Sequence, residues 1–252
     1  MKNREDKFNH ELEVFRTEID SAIQFFYAYV TMNAALAGNK DALDMVNRTP
    51  LFWKTVSGAL QTSFFIALGR IFDQHQKSQH NIDKLIRIAQ DNAIIFSKEE
   101  LEVRARGRSA NSSEWIDDFM KRAYVPRADD FRRLRRYVSK YRKIYEKVYR
   151  DIRHKLYAHK ELSNPDDVKG LFAKTNIREI QKLLIFLNKL HFALWLLFHN
   201  GNKPVLRQMK YSVNRMRRRE IPKWESTHIQ EHMVNETEKF FKLLSSIPKR
   251  SL

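Results

Sequence analysis

The chain of 252 residues contains no cysteine, which excludes disulfides, zinc ribbons and thiol catalysis and leaves the redox compartment unmarked. Glycine and proline are almost as scarce, at six each. A β-rich fold needs frequent tight turns, and so few of these residues do not supply them. A glycine-rich phosphate loop is missing, as is any sequence context for a serine nucleophile. The longest uncharged stretch, Ser21 to Asn39, is rich in Ala, Tyr, Thr and Asn and reads as a buried helix face. The first residues, MKNREDKFNHELE, hold no apolar signal stretch. A cytoplasmic protein that does not span a membrane is the expectation.

Positive charge, by contrast, is abundant. Lys and Arg total 47 against 30 acidic residues, a net charge of +17. Such an excess speaks of partners, and the usual ones are nucleic acid or an anionic membrane surface. An apolar share of 42% with 12% aromatics is ample for a buried core at this length.

The punctuation divides the chain into long helices. A first runs from about Asp6 to Ala37 and stops near Gly38-Asn39; Thr49-Pro50 opens a second, to about Asp73. A short third follows Asn81, and Ser97 with Glu100 forms a capping box for a fourth. RARGRSANSS, Arg104 to Ser113, reads as a basic loop. Pro126 opens the longest helix, Arg127 to Lys160, which SNPDD ends. Asn176 with Glu179 caps Ile177 to Phe198, apolar nearly all round but interrupted by Lys189 and His191, hence a core helix; Asn200-Gly201 terminates it. A basic segment and a last helix after Ser226 follow. The fold class is all-α, a bundle of long antiparallel helices over residues 1–200 with a basic helical extension over 201–252.

The helix from Arg127 carries Leu134, Val138, Tyr141, Tyr145, Val148 and Ile152 at spacings of four and three, a seam for the core or for a second copy of the chain. Cations crowd its flanks. Its end, DIRHKLYAHKE, places Arg153, His154 and His159 within seven residues. Phosphodiester cleavage without a metal needs a proton acceptor, a proton donor and a cation for the phosphorane. Histidine serves either proton role near neutrality, and arginine grips phosphate oxygens as a fork. The catalytic set is therefore Arg153, His159 and His154. Arg150, Lys155, Tyr157, Lys147, Tyr149 and Arg142 are the RNA-binding candidates, cations for phosphates and rings for bases. On an ideal helix Arg153 and His159 lie about 120° apart, so they converge where the helix unwinds or where a second protomer completes the site. Arg70 to His75 fits the same spacing, but an apolar Ile71 follows the Arg, and a structural ion pair of Arg70 with Asp73 is the reading there.

The Arg, the polar residue after it and the closing His near the end of a long helix resemble the signature of the HEPN superfamily, the higher eukaryotes and prokaryotes nucleotide-binding domains. The stretch LGRIFDQHQKSQHNIDKLIRIA, Leu68 to Ala89, is similar to the region of its AbiU-type abortive-infection branch. The resemblance spans about Leu51 to Phe198. It implies an all-helical bundle, homodimerisation, and metal-independent endoribonuclease activity in a toxin or antiphage system, with no cofactor and with an antitoxin as a further partner. The alternative is a non-catalytic helical module that binds nucleic acid or a partner. HIQEH, His228 to His232, matches an inverted zinc-protease pattern, but too little chain follows for a distant carboxylate ligand, and a solvated helix face is the reading.

Overall fold

The computed structural model describes residues 2–75, 78–108, 114–158, 164–206 and 229–246, and among them every regular element is helical. Helices α1 (Lys2–Gly38), α2 (Lys40–Val46), α3 (Pro50–Phe72), α4 (Ile82–Asp91), α5 (Lys98–Arg108), α6 (Glu114–Arg122), α7 (Ala128–Ile144), α8 (Pro165–Phe172), α9 (Ile177–Asn200) and α10 (Ile229–Ser245) follow in order. A 3₁₀ turn (Ala93–Phe96) precedes α5, and two π-helical stretches, Tyr145–Tyr149 and Ile152–Ala158, continue α7. The caps lie where the sequence placed them. The Asn81 side chain accepts from the Lys84 N–H, Ser97 Oγ from the Glu100 N–H, and Asn176 from the Arg178 N–H. Gly201, in the left-handed region at φ 56°, ends α9.

The chain forms two compact units, one of residues 1–19 and 69–209, the other of 20–68 and 210–252. This division differs from a boundary near residue 200, because α10 packs on α2 and seats Phe241 with Met32, Ala42 and Val46. Trp53 and Leu60 complete that apolar cluster.

In the first unit, Phe8 meets Phe96 and Phe198 at ring distances of 5.2 and 5.1 Å, and α7 packs against α4 and α9. Leu134, Val138, Tyr145, Val148 and Ile152 are all buried here. Phe186 of α9 stacks on Tyr141 at 4.1 Å, and Phe72 of α3 on Tyr145 at 5.2 Å. The seam is thus covered within the chain, and it offers no surface for a second copy. The apolar face of α9, from Ile180 to Phe198, is likewise committed to the core, although by length and composition this helix is able to cross a membrane. Arg104, read from the sequence as a loop residue, is helical. Its guanidinium lies 4.3 Å from the Phe198 ring and pairs with Glu5, which draws the basic stretch into α5.

Candidate functional site

The long helix changes its winding shortly before Arg153. After Ile144 the backbone widens, and the Arg150 N–H bonds the carbonyl of Tyr145 five residues back. Such π turns are rare and tend to mark functional segments. A second π-helical stretch, Ile152–Ala158, carries Arg153 and His154. His159 itself lies outside the described residues.

Arg153 sits in a seat made by the end of α3. A Cβ at Gly69 would overlap the Arg153 Cδ and Nε and stand 3.2 Å from its Cζ; only glycine leaves that space. Arg153 Nη1 donates to His154 Nε2 at 3.2 Å, while its Nε is buried without a hydrogen-bond partner. Among the described residues no carboxylate forms an ion pair with Arg153. In this arrangement the His154 Nε2 lone pair accepts from the guanidinium, so His154 orients the arginine, and taking up a proton at Nε2 would break that bond.

Tyr145 closes the seat. Burial pushes its phenol up to about 12, with the Arg153 charge opposing and the Asp73 carboxylate adding to the shift. It therefore stays protonated at neutral pH, and the Arg153 guanidinium, which can only donate, meets its oxygen. Gly69, Phe72 and Asp73 from one stretch thus meet Tyr145 and Arg153 from the other. The sequence reading kept these stretches apart. The signal that finds the link is Gly69 itself, since an isolated glycine within a helix costs about 1 kcal/mol relative to alanine and asks for a packing reason.

The RNA-binding candidates separate into two groups. Lys147 and Arg150 are exposed, Tyr157 is half-buried, and Lys155 pairs with Asp151 at 3.3 Å. Tyr149 and Arg142 leave the set. Tyr149 is 0% exposed, with its hydroxyl donating to the Asn176 carbonyl at 3.1 Å, so no base reaches its ring. Arg142 is 8% exposed and held by Asp83 of α4. At Arg70 the expected partner is replaced as well. Glu18 of α1 holds it at 3.0 Å, whereas the Asp73 carboxylate accepts the His75 N–H. Of HIQEH, His228 lies outside the described residues.

A family model described as AbiU2, of the HEPN group, matches residues 5–216. No curated protein and no solved structure matches the chain. The matched span holds both the Gly69–Asp73 stretch and the Arg153 turn, and the chain belongs to the AbiU2 family of HEPN domains.

Proposed function

We propose that the protein is a metal-independent endoribonuclease of a cytoplasmic toxin or defence system. The observation that carries the proposal is Arg153, a partly buried guanidinium with no carboxylate partner among the described residues, seated over Gly69. A buried charge without a counter-charge is costly, and a scissile phosphate supplies the missing one. Arg153 stabilises the phosphorane, His154 orients the guanidinium, and His159 exchanges protons with the ribose 2′-hydroxyl and the leaving oxygen. The cleaved ends are a 2′,3′-cyclic phosphate and a 5′-hydroxyl, since the attacking oxygen belongs to the RNA.

The test incubates purified wild type, Arg153→Ala and His159→Ala with mixed RNA in EDTA. Cyclic-phosphate ends should form with wild type, and each variant should lose on the order of a hundredfold or more in rate. Activity abolished by EDTA and restored by magnesium sinks this chemistry; RNA bound but never cut points instead to a non-catalytic binding module. Homodimerisation and neutralisation by an antitoxin belong to the same reading. With the seam buried in the chain, a dimer has to use another face.

A further inference from the structure

Beside the arginine seat, the chain that leaves α3 enters a cleft of about 470 Å³ lined by Gln74, His75, Asn81, Asp83, Lys84, Arg87 and Arg135. Its walls are α4 and α7. Its charge is one-sided, because Asp83, the single acid in the lining, is already spent on Arg142. The arginines of α7 divide in the same way. Arg132 is held by Asp129, Arg133 by Asp130 and Arg142 by Asp83, whereas Arg135, which lines the cleft, and Arg136, which does not, have no ion pair among the described residues. Arg87, from the opposite wall, has none either, and both are exposed. Lys84 adds a third cation, its ammonium tethered to the Ser78 carbonyl. Two helices thus hold unneutralised guanidinium groups at one concave place, which costs repulsion unless an anion with more than one negative group lies between them.

The place is also next to the chemistry. Asp73, whose charge reaches the Tyr145 hydroxyl beside Arg153, is followed directly by Gln74 and His75 of the cleft. At 3.8 Å per residue along the chain, the His75 Cα lies within about 8 Å of the Asp73 Cα. The cleft thus begins within a few residues of the stretch that seats Arg153.

We infer that the α4–α7 cleft binds single-stranded RNA flanking the scissile phosphate, with Arg87 and Arg135 each neutralising one backbone phosphate. The inference rests on the ribonuclease reading for what happens at Arg153, but RNA binding at the cleft is measured without it. Fluorescence anisotropy of a short labelled single-stranded RNA, over a range of salt, is recorded with the full chain carrying His159→Ala, so that no cutting intervenes. Arg87→Glu/Arg135→Glu should raise Kd on the order of tenfold and flatten the log–log salt slope by about 1.4, two contacts at about 0.7 each for a single strand. Arg87→Gln/Arg135→Gln should flatten the slope equally, without reversing charge. The control Lys40→Glu/Lys54→Glu, on exposed positions of α2 and α3, changes net charge as much as the Glu pair does and should move Kd less than about twofold. Equal weakening by the control, or a slope untouched by the cleft pairs, overturns the inference. Wild type that binds through the cleft but never cuts RNA overturns the ribonuclease reading alone; a chain with His159 intact and both cleft arginines replaced that cuts RNA at the wild-type rate overturns the cleft alone.

Discussion

Gly69→Ala isolates the seat of Arg153 from the rest of the fold. Alanine in a helix is favoured over glycine by about 1 kcal/mol, so propensity alone makes the variant more stable. Its Cβ, however, takes the space of the Arg153 Cδ and Nε. These atoms sit toward the tip of a flexible side chain, so the guanidinium moves and the helices stay. Forcing the arginine off its rotamer costs roughly 0.5–1.5 kcal/mol, which cancels the gain, and the melting temperature should hardly change. Cleavage should fall on the order of a hundredfold, the usual consequence of a displacement near 1 Å in a catalytic group. In the Arg153→Ala background the overlap is gone. There Gly69→Ala should stabilise by about 1 kcal/mol and cost no further activity, a coupling within the roughly 0.5–3 kcal/mol seen for touching residues. Gly58→Ala, in the same helix with open space around it, should stabilise without touching the rate. Denaturant melts and a cleavage assay on wild type, the three seat variants and the control decide the matter. Additive stabilities together with wild-type cleavage by Gly69→Ala would refute the seat.

Three further outcomes follow from single contacts. Burial, with the charges of Arg16 and His199 adding to it, lowers the pKa of His191 to about 4, below its ordinary value, so the unfolded chain takes up the proton first. Stability from this group is complete above about pH 6.5 and drains as pH falls toward 4, with about 2 kcal/mol lost between pH 7 and 5; urea melts at both values should show His191→Leu spared that loss, and equal losses in both proteins refute it. Tyr149→Phe removes a hydroxyl bonded to Asn176 and Glu179 and should cost about 1–2 kcal/mol in stability while RNA affinity stays at the wild-type value; weakened binding in a properly folded variant restores Tyr149 to the RNA surface. Arg70→Ala breaks an ion pair whose arginine is 54% exposed, so its melting should shift by less than about 1 kcal/mol, and a larger loss by calorimetry assigns Arg70 a buried role.

The all-helical class, the caps at Asn81, Ser97 and Asn176 and the stop at Gly201 were legible because each rests on local chemistry, a side-chain oxygen beside orphan N–H groups or a left-handed residue without a Cβ. Periodicity also identified the apolar seam from Leu134 to Ile152, on α7 and the turns that continue it, as a face for the core or for a second copy. What covers that face was not legible: Phe186 and Phe72 come from distant segments, and nothing in the α7 sequence names them. The same limit misassigned Tyr149 and Arg142, since a tyrosine or arginine among cations looks alike whether it meets RNA or meets Asn176 and Asp83. Helices α2, α6 and α8 are short and draw their stability from packing more than from pattern. The widening after Ile144 left no mark in composition, because a π turn is chosen by what the neighbouring helices accommodate.

That widening also sets how the molecule meets heat. The segment from Tyr145 to Ala158 is held by the burial of Tyr145, Val148, Tyr149 and Ile152 as well as by its own backbone bonds. Loosening of that packing releases the segment while α7 and α9 remain helical, and Arg153 departs from Gly69 with it. Inactivation on warming should therefore set in several degrees below the midpoint read by far-ultraviolet circular dichroism, and amides of the 145–158 segment should exchange with solvent at those intermediate temperatures, well ahead of amides in α9. Warming should thus displace Arg153 from Gly69 before it melts the helices.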